Sequence, residues 1–213
     1  MMKKSAILLA LLPLSAMAGP TPHPYVFVSG GTAADNLDQA SLDAQYRPFA
    51  DAGTYQSSVS SSAFAFGLGI GYQLTPRLGF EAAYINPGST SYSATGKVGG
   101  VPVAGSVKET ADVFSLDLVG NVPIPITDGF YGELKLGAAQ VHGHADGTLN
   151  GFGATASGSY SATKTNLTAG IGFRYDFSQD YFAKFDLDYY KAPDQSYVGT
   201  FNVTTLSIGI RFQ

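Results

Sequence analysis

Asp186 and Asp188 stand two residues apart. On a β-strand that spacing puts both carboxylates on one face, as paired general acid–base catalysis requires. Lys184 falls on the same face, and Arg174 and Arg211 lie on strands expected to neighbour it. Ion pairing is the plainer reading of such a group. His142 and His144 repeat the spacing, with Asp146 close by. Two imidazoles on one face are half of a metal site, but no cysteine or further histidine adjoins them, so a solvated strand end is expected. The first long polar segment carries Asp35, Asp38, Asp43 and Asp51, and reads as a solvated loop rather than a cation site. The glycine runs match no phosphate loop, because no strand-to-helix context follows them. No catalytic, cofactor-binding or metal-binding residue is assigned.

The elements that hold these residues are strands. Phe64 to Tyr72 reads Phe-Ala-Phe-Gly-Leu-Gly-Ile-Gly-Tyr. Even positions are large and apolar, odd positions Ala or Gly. Strict alternation means a β-strand with two unlike faces. A half-buried soluble strand would show charged or hydroxyl side chains to water. This one shows none, which points its large face at lipid.

Composition agrees. Charged residues are 13% of the chain, against about 25% in a typical soluble domain. Cysteine is absent, so no disulfide supports the fold. Met1-Met2-Lys3-Lys4, the apolar run Ala6 to Leu14 and Ala16-Met17-Ala18 form a secretory leader. Cleavage is expected between Ala18 and Gly19, giving a leader over 1–18 and one domain over 19–213. Losing Lys3 and Lys4 takes the formal charge from −4 to −6. An acidic, weakly charged chain offers no nucleic-acid footprint. No stretch holds the 18 or so apolar residues of a membrane helix.

Eight strands are expected: Tyr25 to Thr32, Ala63 to Leu74, Leu78 to Asn86, Ala111 to Val122, Phe130 to Val141, Thr163 to Phe177, Tyr181 to Tyr190 and Phe201 to Phe212. Short turns at Thr75-Pro76-Arg77, Pro123 to Gly129 and Ser178-Gln179-Asp180 alternate with four longer loops. That pattern is an eight-stranded antiparallel up-and-down transmembrane β-barrel, all-β, with short periplasmic turns and long outer loops. Lys97 to Val101 and Gly147 to Gly151 look like hairpin tips, so two loops are expected to continue as ribbons past the bilayer. The polar face of the strands carries Glu81, Asp117, Glu133, Asp186 and Asp188 against Lys135, Arg174, Lys184 and Arg211. Eight strands leave an interior just wide enough for side chains, and buried charges persist when paired. A closed ion-pair network is therefore expected rather than a water-filled pore. The first strand cannot be phased from its sequence. Tyr72, Tyr84, Tyr131, Tyr175, Tyr181, Tyr189 and Phe212 fall near strand ends and suit aromatic girdles at the two interfaces.

Several segments together resemble the transmembrane domain of the outer-membrane protein A family of Gram-negative bacteria. They are Gly71-Tyr72-Gln73 with Pro76 and Gly79 to Tyr84, then Pro125 to Asp128, Leu134 to Gly137, Ala169 to Gly172, and Leu206 to Phe212. The resemblance implies an outer-membrane barrel with a charged lumenal gate, where Glu81, Lys135, Lys184 and Asp186 are similar in position to the family's lumenal charges. It also implies that the last strand, with Leu206, Ile208, Ile210 and Phe212, is the signal read by the barrel-assembly machinery. Two residues depart from the pattern: Gln213 follows the terminal aromatic, and Ser207 stands where glycine is usual. The family's peptidoglycan-binding domain has no counterpart after Phe212, so a tether to the cell wall is not implied.

The expected function is a structural outer-membrane protein with a mostly plugged lumen and outer loops open to an extracellular partner. Its other partners would be outer-membrane lipid and lipopolysaccharide, with periplasmic chaperones during biogenesis, and no cofactor. A minor porin or a conduit for small hydrophobic molecules is the alternative. A lipid-modifying enzyme is the third reading. One family of eight-stranded hydrolases uses a Ser-His-acid set at its rim, but its His-x-Ser element is missing here, since Gly143 and His144 follow His142.

Overall fold

Period-2 alternation gives each strand a face of large apolar side chains and a face of small or charged ones, and only a closed sheet can separate the two faces completely. The computed structural model describes residues 22–35, 39–191 and 200–212. The strands are β1 (His23–Asp35), β2 (Gln56–Ser60), β3 (Ser62–Thr75), β4 (Leu78–Asn86), β5 (Ser89–Val98), β6 (Val101–Pro123), β7 (Phe130–Gly151), β8 (Ala154–Asp176), β9 (Tyr181–Lys191) and β10 (Thr200–Arg211). Eight of them close an antiparallel ring in the order β6-β4-β3-β1-β10-β9-β8-β7, with β7 returning to β6. The remaining two, β2 and β5, extend the sheet from the far end of β6. A helix α1 (Gln39–Tyr46) and a 3-10 turn (Arg47–Phe49) lie between β1 and β2. The expected leader and its Ala18–Gly19 cleavage site lie outside the described residues.

The faces are inverted relative to a soluble protein. Leu136 and Leu167 are 67% and 84% exposed, while Glu133, Lys184 and Asp186 are almost fully buried. A band of exposed Phe, Leu, Ile and Val around a polar interior is the signature of a barrel in lipid. No helix among the described residues is long and apolar enough to cross a membrane.

The sequence places the ring strands correctly but makes three of them too short. β6, β7 and β8 run through segments expected to be loop, and β6 pairs with β7 without a break from Val103 to Pro123. A membrane needs about 9–11 residues per strand. The twelve residues of β6 beyond Val113, where β4 stops pairing, therefore rise about 40 Å further. The β5–β6 tip falls at Gly99-Gly100, with φ of 59° and 82°, inside the expected stretch. The β7–β8 tip does not fall within Gly147 to Gly151: it is Phe152-Gly153, with φ of 53° and 74°. Gly147 and Gly151 sit in the ladder instead, opposite Gly158 and Ala154. Both tips use two consecutive residues at positive φ, the turn geometry that matches strand twist.

Candidate functional site

Strands β4, β6, β7, β8, β9 and β10 each send charged side chains into the barrel. The inside has three levels.

The middle level is an ion-pair chain. The Lys184 ammonium bridges Glu81 and Glu133, with the Glu133 contact at 3.2 Å, and lies 4.9 Å from the centre of the Phe27 ring. The Lys135 ammonium contacts Asp186 at 2.9 Å, Asp188 at 3.5 Å and Glu81 at 3.8 Å. The Tyr25 hydroxyl donates to Glu81 at 2.8 Å. Glu81 thus joins both lysines. In the ring order, β4 and β9 stand four places apart, on opposite sides of an eight-strand circle. The pair Glu81–Lys184 therefore crosses the whole lumen.

Toward the short turns the chain continues. Arg174 meets Glu133 at 3.5 Å and Asp176 at 3.1 Å, donates to Gln73 at 3.3 Å, and stacks 4.8 Å over Tyr131. Arg211 binds Asp176 and lies 5.1 Å over Phe182. Asn121 donates to Gln73 at 3.4 Å. These groups border a cavity of about 460 Å³ that opens at the short-turn end.

Toward the ribbons the chemistry changes. Ala33, Ala65, Ile85, Val113, Val141, Tyr190, Phe201 and Val203 form an apolar layer across the barrel. A small cavity of about 60 Å³ sits above it, lined in part by Ala33, Val141 and Phe201.

All nine charges expected in the interior face it. Eight of them join one chain, Asp188–Lys135–Asp186 and Glu81–Lys184–Glu133–Arg174, completed to Arg211 through Asp176. Asp117 is buried opposite Gly137 and stays outside this chain. Asp176 is the link that sequence reasoning missed, although it stands two residues beyond Arg174 on the same face. It changes the balance from five acids against four bases to six against four. Tyr25, Phe27 and Phe182 are also interior residues that the sequence did not assign.

The inward-facing glycines make room for side chains of the neighbouring strands. Gly69 and Gly71 face Phe27 and Tyr25 across the β1–β3 ladder, and a Cβ at either would run into the facing ring. Gly209 accommodates Phe182 in the same way, while Gly170 and Gly172 accommodate Asp188 and Asp186. Aromatic rings covering cross-strand glycines hold register and exclude water.

The remaining candidates are spoken for. His142 contacts the Thr163 hydroxyl at 2.7 Å and His144 contacts Asp146 at 3.2 Å. Among the described residues no three potential ligands form a metal cluster. Asp186 and Asp188 both bind Lys135, so neither is an isolated acid–base pair. In the first loop, Asp43 accepts from Tyr55 at 3.1 Å and Tyr92 at 2.9 Å. Asp51 accepts from the Gly99 and Gly100 amides at 3.0 and 2.7 Å. Asp35 lies on β1, and Asp38 lies outside the described residues; among the described residues no three acids form a cation-binding group. Of the girdle residues, Tyr72, Tyr175, Tyr181, Tyr189 and Phe212 are exposed on the outer surface. Tyr84 is half-buried, its hydroxyl on Asp112 at 2.5 Å. Tyr131 is a correction: it turns inward under Arg174, because its odd position shares the face of Glu133 and Lys135. In the last strand Leu206, Ile208 and Ile210 face outward, and Ser207 is buried.

A family model described as outer membrane protein beta-barrel domain matches residues 5–212. No curated protein matches the chain. Among solved structures, the chain is similar to Ail, the attachment invasion locus protein of Yersinia pestis, in complex with the heparin analogue sucrose octasulfate. That match has 16% identity over 89% of this chain and 99% of the other, with a TM-score of 0.44. The N-terminal β-barrel domain of Pseudomonas aeruginosa OprF matches at 18% identity over 89% and 97%, with a TM-score of 0.47. Neisserial surface protein A matches at 14% identity over 89% and 97%, with a TM-score of 0.42.

Proposed function

Since the chain belongs to the outer membrane protein β-barrel family and lies in the outer membrane of a Gram-negative bacterium, we propose that it is a structural, non-enzymatic barrel with a closed lumen. The observation that carries this reading is the pair Glu81–Lys184, which joins opposite walls at the middle of the barrel. Both members of the pair are almost fully buried, and an apolar layer lies above them, which supports a lumen closed to hydrated ions. Buried charges of this kind persist because each is paired, and removing one partner exposes the other. Catalysis needs a free acid, base or nucleophile facing a pocket. The lumenal carboxylates are bound to Lys135, Lys184 or the arginines, or in the case of Asp117 packed over Gly137.

On this reading the leader is cut after Ala18, and chaperones deliver the chain to the barrel-assembly machinery. The apolar band then meets lipid and lipopolysaccharide, and the ribbons of β5 to β8 stand outside the cell, where they meet an extracellular partner. Planar-bilayer recording tests the closed lumen. The expected result is no steady current. A salt-dependent single-channel conductance from the purified protein would overturn it in favour of a minor porin. Lipid A profiles from cells with and without the protein address the enzyme reading, and are expected to be identical.

A further inference from the structure

The lipid-facing band explains most of the exposed apolar surface, but not all of it. Phe49, Leu149 and Phe152 are 74%, 54% and 67% exposed, and they stand on the ribbons and the first loop, beyond the reach of the bilayer. They border a cleft of about 650 Å³ on the inner side of the ribbon sheet. Its floor is formed by Val98, Val103 and Val107 with Leu149, and the 3-10 turn brings Phe49 over it.

Three properties define what such a cleft takes. The first is charge: no Asp, Glu, Lys or Arg lines it. The second is that four of its hydroxyls are already engaged. The Ser106 and Thr148 hydroxyls bond each other at 2.8 Å, and the Tyr55 and Tyr92 hydroxyls bond each other and Asp43. A charged or strongly polar ligand would lose its hydration and regain little there. The third is that the cleft is already formed. Asp43 fixes α1 to the sheet, Asp51 fixes the first loop to the Gly99-Gly100 tip, and Thr54 accepts the Lys97 amide at 3.0 Å. Ligand sites of roughly 300–1,000 Å³ with mostly apolar walls hold one drug-sized molecule.

We propose that this cleft is an extracellular binding site for a small, uncharged, apolar molecule taken from the aqueous phase. It binds without passing the molecule on, because the apolar layer and the Glu81–Lys184 pair lie beneath it. Occupancy of the cleft does not depend on whether the lumen conducts, since its walls are the ribbons and the first loop, past the point where β4 stops pairing with β6, and conductance is a separate readout.

The test is a titration of the full protein in nanodiscs with the neutral probe N-phenyl-1-naphthylamine, subtracting matched empty nanodiscs. Saturable binding at one probe per barrel is expected. Arginine in the cleft, by Leu149→Arg or Val103→Arg, is expected to weaken it by about tenfold or more. Ser159→Arg, on β8 but outside the cleft lining, is expected to leave it unchanged. A heat-modifiable gel shift equal to the parent's shows that each variant is folded. Non-saturating fluorescence, or equal binding by both cleft variants and the parent, would overturn the proposal. So would probe exclusion accompanied by dimers in the nanodisc, which would make the cleft a surface between copies.

Discussion

Phe27 lies over Gly69. The two residues face each other across the β1–β3 ladder, and the phenyl ring occupies the space that any side chain at Gly69 would need. Tyr25 stands in the same relation to Gly71, and carries a hydroxyl to Glu81. Aromatic packing on one strand thus sets the position of a charge on another.

Replacing Gly69 with valine is therefore expected to destabilise the barrel by about 1–3 kcal/mol, the usual range for overpacking an interior. The comparison variant is Gly69→Val with Phe27→Ala, which frees the space and is expected to recover part of the loss. Urea unfolding in lipid vesicles measures both. A neutral Gly69→Val would show that the ring is not fixed there.

Lys184→Met leaves Glu81 and Glu133 facing each other without their shared cation. The expected loss is about 3–5 kcal/mol, as for other buried pairs broken on one side. Lys184→Met with Glu81→Met removes both members of the crossing pair, and is expected to be closer to the parent than the single change. The same two variants in planar bilayers read the lumen: the single variant is expected to admit intermittent current and the double variant none.

The Asp43 carboxyl is held below the ordinary carboxylate range, first by a hydrogen bond from Ser57 and then by the Tyr92 and Tyr55 hydroxyls and nearby Arg47. A group depressed in the folded state contributes stability above its unfolded value, near about pH 4, and loses it as pH falls through the folded value. The protection factors of the α1 amides, which are exchange rates corrected for the intrinsic rate at each pH, are thus expected to stay constant from neutral pH to the unfolded value and fall below it. Asp43→Asn is expected to show low protection throughout, with no acid step. An acid step that survives in this variant would assign the effect elsewhere.

Leu136 and Leu149 lie on one strand, β7, and are similarly exposed. Only Leu136 belongs to the lipid-facing band. Leu136→Arg is expected to cost about 2–4 kcal/mol, the range for a cation at mid-bilayer depth on a barrel's outer surface. Leu149→Arg is expected to stay within about 0.5 kcal/mol, as for other surface sites. Equal costs would mean that the ribbons do not stand clear of the membrane.

Much of this was legible in the chain because two physical signals are strong. Alternation in β3, β8 and β10 separates lipid from lumen residue by residue, and each charged position on the small face had to point inward. The closing element β1 was not legible in phase, because Tyr25 to Val28 is apolar at every position and gives alternation nothing to contrast. Its inward rings are explained only by the glycines opposite, on another strand. The ribbons were half legible. Their tips at Gly99 and near Gly151 stood out, but Ser, Thr, Gly and Ala between them carry little hydrophobic contrast, so the strand ends blurred into loop. Asp176 sat next to a turn, where face assignment weakens. The cleft was not legible at all, because its walls come from four strands and a helix that only the folded sheet brings together.

Antiparallel pairing of β1 with β10, sealed where the Phe212 amide meets the Pro24 carbonyl at 2.9 Å, carries a kinetic obligation. The strand that reaches the membrane compartment first finds its permanent neighbour only after the last one has followed. Until then both carry unpaired backbone donors and acceptors, open to a sister chain as readily as to each other. Whatever escorts this protein to its destination must keep those two margins from meeting strangers.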